Sequence, residues 1–185
     1  SAFHYGPYLL EKNRYWSILR KLAKGETHKI KVVIPEGWTA WQIGERLARE
    51  GVIDDPESFL RRVKSEKLEG RLFPETYFFE PLIGSTEAAG LMKNQFDRIF
   101  SPAMGLRAKE IKMSLQQLLA MASIIEREAR ADDERAVVSS VYHNRLKKRM
   151  FLEADPTVQY ALSDGRAWKD RLLYKDLKFS SPYNT

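Results

Sequence analysis

The sequence predicts an α+β fold, with a small α/β subdomain over residues 1–67 and a mainly helical domain over residues 68–185 that opens with a short strand and turn region. Three observations lead there. A weak repeat at a spacing of about 25 residues runs through the first third of the chain. The stretch 68–79 is aromatic and broken by Gly and Pro, and from about Thr86 onward apolar residues recur at helical spacing. A length of 185 residues leaves room for one compact domain or two small ones.

The elements follow in chain order. Glu11, Trp16, Ile18, Leu22 and Ala23 recur as Glu36, Trp41, Ile43, Leu47 and Ala48, so each copy reads as a short strand, a turn and an amphipathic helix, the two sharing a small core. In the second copy Lys29 to Ile34 alternates and then runs apolar, as a strand does, and Pro35-Glu36-Gly37 makes the turn. Thr39 with Gln42 fits a capping box, and Gly51 is placed to end the helix that it opens. A further helix is expected from the Asp55 N-cap through Pro56 to about Val63. Leu68 to Phe79 reads as turn plus strand. Helices are then expected over roughly 86–100, 114–130 and 133–148, with a short one starting near Pro156. Ser114 and Gln117 form a second capping box, Asp155-Pro156 repeats the Asp55-Pro56 start signal, and the tail from Ser180 is irregular.

Composition excludes several kinds of chemistry. The absence of cysteine removes disulfides, thiolate metal sites, thiol nucleophiles and iron–sulfur clusters. His4, His28 and His143 are too far apart to suggest metal ligation, no Gly-rich phosphate loop or serine nucleophile elbow is present, and no metal or cofactor is expected. A mean hydropathy of −0.47 fits a globular chain, and no run of about 18 apolar residues spans a bilayer. The net charge of +6, with 31 basic and 25 acidic residues interleaved, permits an anionic partner without selecting one. Despite a pI of 9.4, no basic motif marks a nucleic-acid partner.

One carboxylate stands out. On the expected 114–130 helix, Leu115, Leu118, Leu119, Ala122, Ile125 and Ala129 form an apolar stripe. Glu126 falls within about 40° of its centre, whereas Arg127 and Glu128 fall outside. A carboxyl group held in an apolar wall has its pKa pushed up and can serve as a general acid. The plainer reading is a Glu reaching sideways to an arginine or a helix N-terminus, which is a common structural arrangement.

The segment Ala122-Ser123-Ile124-Ile125-Glu126-Arg127-Glu128-Ala129 does not stand alone. It occurs with Leu68-Glu69-Gly70, Phe73-Pro74-Glu75-Thr76-Tyr77, Val141-Tyr142-His143-Asn144-Arg145-Leu146, Asp155-Pro156-Thr157-Val158-Gln159-Tyr160 and Ser181-Pro182-Tyr183-Asn184-Thr185. Together and in this order these blocks resemble the YceG-like family, and the front part looks like that family's LysM-like subdomain, a module type associated with GlcNAc-containing glycans.

The resemblance implies an endolytic lytic transglycosylase that cleaves the β-1,4 bond between MurNAc and GlcNAc within peptidoglycan strands and leaves 1,6-anhydro-MurNAc ends. It places the family's catalytic Glu at Glu126. Glu75, Asn144, Arg145, Asp155, Thr157, Tyr160, Ser181 and Tyr183, from the matching blocks, are expected to line the glycan cleft or brace Glu126. Asp155 as a plain N-cap, and Asn144 and Arg145 as a structural pair, remain open alternatives. The resemblance further implies an extracytoplasmic site, a single-pass membrane anchor outside this sequence and coupling to penicillin-binding proteins. Because the family pattern continues beyond Thr185, a catalytic domain truncated at its C-terminal end is expected. The competing reading is a non-catalytic peptidoglycan-binding module that docks cell-wall synthases.

Overall fold

The computed structural model describes residues 6–10, 14–25 and 27–184. Eight helices and two strands are described, in the order α1 (Tyr15–Lys24), β1 (Ile30–Val33), α2 (Ala40–Arg49), α3 (Pro56–Ser65), β2 (Thr76–Phe79), α4 (Ser85–Ile99), α5 (Pro102–Glu110), α6 (Leu115–Glu128), α7 (Glu134–Lys147) and α8 (Asp155–Ser163). A short 3₁₀ helix over Asp176–Lys178 follows them. The class is α+β, as the sequence predicts. None of the described helices is long and apolar enough to cross a membrane.

The first unit is built on a two-stranded antiparallel sheet in which Ile30 faces Phe79 and Val33 faces Thr76. Alternation puts Val32 and Phe79 inward, while Lys31, Val33 and Phe78 stay exposed. A lone pair of strands needs another layer to be stable. α2, α3 and α4 supply it, and Val32, Leu47, Val52, Ile53, Phe59, Val63, Leu68, Phe79 and Met92 are almost completely out of solvent. The local signals hold. Thr39 accepts from Gln42 N in a capping box, and Asp55 accepts from the backbone N–H of Glu57 and Ser58 at 2.9 Å each. Gly51, at φ 76°, turns the chain after α2.

Two expectations about this unit need correction. Its core does not close at residue 67, because β2, the pairing partner of β1, and the core residues Leu72, Phe79, Ala88, Ala89 and Met92 all come from beyond that point. The two copies of the repeat are also unequal. α2 buries Ile43 and Leu47, whereas α1 buries nothing and leaves Trp16 85% exposed. The reason is the sheet: β1 gives the second copy a surface to pack on, residues 6–10 before α1 form no strand, and Glu11 lies outside the described residues.

The second region is helical. α6 packs against α5, α7 and α8 around a small cluster of Met121, Ile124, Tyr142 and Ala154. α5 is an element absent from the sequence-based expectation. Its start signal, Ser101 with Pro102 in the first turn, matches those of other helices, but only Ala108 is buried, so its apolar periodicity is faint. The expected Asp155 N-cap is not made. Ala154 occupies the cap position without a side-chain bond, and Asp155 is already in the first turn.

Candidate active site

α6 presents a different face inward from the one its sequence suggests. Met121 and Ile124 are its buried residues, while Leu115, Leu118, Leu119, Ile125 and Ala129 are half-buried and Ala122 is exposed. At 100° per residue the buried face is turned by roughly 120° from the expected stripe. α7 and α8 cover the Met121 side, and the expected stripe looks toward the first unit instead. A Cβ on Gly70 would come within 3.4 Å of Leu119 Cβ, and two turns further on a Cβ on Gly37 would lie 3.6 Å from Glu126 Cγ. Both glycines have positive φ, 71° at Gly37 and 78° at Gly70, so the turns require glycine there, while a Cβ at either would make only ordinary contact with α6. Glu126 therefore stands where α6 meets the Pro35-Glu36-Gly37 turn.

Its surroundings are polar, not the apolar wall expected. Arg135 Nη2 lies 3.2 Å from Glu126 Oε2, and the Glu126 side chain keeps 32% of its exposure. The same guanidinium lies 3.3 Å from Asp132 Oδ1. Arg127 donates to the carbonyl of Gly37 at 3.0 Å and stacks its guanidinium 3.9 Å from the centre of the Trp168 ring. Burial weakens the basicity of Arg127, and the charge of Glu126 opposes that effect. Glu128, expected to face solvent, is half-buried and turned toward the Tyr142 hydroxyl, whose pKa is pushed up to about 12 by burial first and Glu128 second. Of the two carboxylates, the one expected outside braces α6 on α7.

The other expected site residues divide into groups. Arg145 donates to the carbonyls of Phe151 and Leu152 at 3.0 and 3.1 Å and pairs with Glu153 at 2.7 Å, so it braces the loop before α8. Thr157 donates to the Ala154 carbonyl at 2.8 Å within the first turn of α8. Asn144 and Asp155 are exposed on α7 and α8. Tyr160 packs edge-on against Tyr183, with centroids 5.3 Å apart, and the Ser181 hydroxyl accepts from Tyr183 N at 3.2 Å. Glu75 turns away: its carboxylate accepts from Thr76 N at 3.0 Å, and it lines a groove of about 410 Å³ between β2 and α4. A second, apolar groove of about 280 Å³ runs between Phe73, Phe96 and Met104, and neither groove includes Glu126.

The junction between the units combines Tyr160, an expected site residue, with contacts that the sequence did not indicate. The Glu69 carboxylate accepts from Ala40 N at 3.0 Å, and the Tyr160 hydroxyl is directed at it. Although Glu69 is exposed as a residue, desolvation of its carboxyl end pushes its pKa up. Burial and Glu69 likewise push up the Tyr160 phenol. Three consecutive residues then grip the first unit. Asp164 pairs with Lys64, the Gly165 carbonyl accepts from Thr39 Oγ1 at 2.7 Å, and Arg166 forks onto Glu57 at 2.5 and 2.9 Å while lying over Trp41. The Gly165 contacts span 126 positions in sequence, and no local pattern encodes them.

Comparison with known proteins supplies a family. The profile described as the YceG-like family matches residues 1–185. The chain is 36% identical over 215 aligned residues to a Bacillus subtilis protein named endolytic murein transglycosylase, covering 100% of this chain and 58% of that protein. It is 26% identical to a Streptococcus pneumoniae protein of the same name, covering 97% of this chain and 39% of that one. The chain thus spans 58% of the length of the first of these relatives and 39% of the second. A crystal structure of a YceG-like protein from Listeria monocytogenes superimposes with a TM-score of 0.70 at 33% identity, over 96% of this chain and 66% of that one.

Proposed function

Given that the chain belongs to the YceG-like family, we propose that it carries the catalytic glutamate of an endolytic peptidoglycan lytic transglycosylase, which cleaves the β-1,4 MurNAc–GlcNAc bond within strands. The observation that supports this reading best is the place of Glu126. It is a half-exposed carboxylate at the seam of the two units, bordered on one side by the half-open stripe of α6 and on the other by the Gly37 turn.

In this reading the protonated Glu126 donates to the glycosidic oxygen as the C1–O bond breaks and positive character grows at the anomeric carbon. The resulting carboxylate takes the proton of the C6 hydroxyl while that oxygen bonds to C1 and closes the 1,6-anhydro ring. The substrate is its own nucleophile, so no water and no second carboxylate enter the reaction. Glu75 is held by its own backbone turn and opens onto a different groove, which makes it a poor partner for a two-carboxylate hydrolysis. Tyr160 and Tyr183 offer aromatic surface for a sugar ring, and Arg145 and Thr157 act by fixing the start of α8.

The strand, helix, helix, strand unit of residues 30–79 is the LysM-like part of this proposal and binds GlcNAc-containing glycan. Action on the outer side of the membrane follows from the substrate. An anchored position and coupling to penicillin-binding proteins rest on the family resemblance.

The test is incubation of wild type and Glu126→Gln with purified sacculi, followed by mass spectrometry of the released muropeptides. Anhydro-ended products are expected from the wild type and a loss of about 10²–10⁴-fold from the variant, the range for removal of a general acid–base group. Equal product from both would remove Glu126 from the reaction. Binding without product from the wild type would favour the binding-module reading.

A further inference from the structure

We propose that Arg135 is a specificity-determining residue of this site: its guanidinium, paired with Glu126, transfers to a carboxylate of the glycan strand when substrate loads, leaving Glu126 free for proton transfer. The proposal rests on the function argued above.

The turn between α6 and α7 is built to deliver this side chain. Glu134 Oε2 accepts from the backbone N–H of Arg130 at 2.9 Å and of Ala131 at 3.3 Å, which pins the loop and fixes the first turn of α7. Arg135, the next residue, reaches back to Glu126 Oε2 at 3.2 Å and sideways to Asp132 at 3.3 Å. Asp132 is 93% exposed and Arg135 45% exposed, so these pairs sit in high dielectric, hold weakly and exchange easily. Arg127 behaves differently. Its guanidinium is committed to the Gly37 carbonyl and the Trp168 ring. Of the two arginines flanking Glu126, one fixes the seam and the other is exchangeable.

Chemistry favours the exchange. A guanidinium beside a carboxylate favours its ionised form, and the acid step requires the protonated one. A planar guanidinium that already faces two carboxylates is suited to a third, which it can take in a bidentate fork. Peptidoglycan carries carboxylates in two places, on the lactyl ether of an unsubstituted MurNAc and on the stem peptide. Either draws Arg135 from Glu126, whereas a neutral strand leaves the pair closed.

The experiment compares wild type, Arg135→Gln, Arg135→Lys and the net-charge control Lys109→Gln on peptide-bearing sacculi and on peptide-stripped strands, each with native and with amidated carboxylates. The wild type and Lys109→Gln are expected to lose about tenfold in kcat/KM when carboxylates are blocked, through a higher KM for the lost ion pair and a lower kcat because the pair with Glu126 stays closed. Arg135→Gln should show the KM rise already on native strands, with no further change on blocked ones and no loss of kcat, and Arg135→Lys should recover part of the binding. The substrate arm in which blocking matters identifies the source of the carboxylate. Equal discrimination by wild type and Arg135→Gln, or none by either, overturns the proposal. A purely structural role for Arg135 would lower thermal stability and affect all substrates alike. Co-sedimentation with native and blocked sacculi needs no turnover. It therefore tests the Arg135 contact even if the wild type yields no anhydro product, a result that would count against the proposed activity instead.

Discussion

The two regions of the molecule hold together in different ways. In the first, Val32, Leu47, Val52, Phe59, Val63, Phe79 and Met92 have no exposed surface, and three helices close over a small sheet. In the second, Met121, Ile124 and Tyr142 each keep 5–8% exposure, and much of the order comes from polar braces: Arg145 on the Phe151 and Leu152 carbonyls and the Glu153 carboxylate, Lys169 and Leu173 N on Asp176, and Glu134 on the α6–α7 turn. The first region is a scaffold stabilised by apolar burial. The second, which carries Glu126, has a thin core and leans on the first through Asp164, Gly165 and Arg166. The proposed acid, with its proposed exchangeable partner, thus lies on the layer with the thinner core, from which moving elements are commonly drawn.

Core truncations should give the largest separation between the two. Phe59→Ala empties a fully enclosed site and is expected to cost about 3–5 kcal/mol, read by urea unfolding. Met121→Ala, in a site that still touches solvent, should cost only about 2 kcal/mol, at the low end for such a change. Equal costs would mean that the second region is as tightly packed as the first, and the contrast would fail.

Gly165→Ala tests the seam. A Cβ there would lie 2.9 Å from Tyr160 Cε2 and 3.2 Å from Thr39, at a φ of 75°, so a cost of about 1–2 kcal/mol is expected from the backbone alone. Hydrogen exchange should show it as faster opening of α8 with little change in α2 or α3. Uniform acceleration across both regions would show that they unfold as a single unit.

The smallest effect concerns Glu69. Its folded-state pKa is raised above the ordinary 4.5, so the carboxyl contributes fully below the unfolded value and its contribution is lost as pH rises through the folded value. Glu69→Gln keeps an acceptor for Ala40 N and cannot ionise. Its melting temperature should therefore gain on that of the wild type as pH rises above the ordinary value and through the raised folded one. A gap that does not change with pH would show that Glu69 is not desolvated at the seam.

Much of the local structure is written in short patterns. The capping boxes at Thr39–Gln42 and Ser114–Gln117, the Asp55-Pro56 start and the Gly51 stop are each satisfied within four residues, so they are visible without knowledge of the fold. Glu126 was legible too, both from helix geometry and from the family blocks around it. Its environment was not. The stripe around it was read as core because periodicity reports which residues share a face and is silent on what that face meets. Here it meets the first unit across a half-open seam. Asp155 followed the same start pattern as Asp55, yet its side chain makes no cap bond.

Sequence alone therefore determined the class of fold, nearly all of the helices and the identity of the candidate glutamate, because hydrophobic period, capping chemistry and motif order act over a few residues. Tertiary structure decided which face of α6 is buried, where the first unit closes and which arginine sits on Glu126. Those outcomes depend on contacts such as Arg127 with Gly37 and Thr39 with Gly165, between residues 90 and 126 positions apart. Chain packing brings such pairs together, and nothing in their immediate neighbours specifies them.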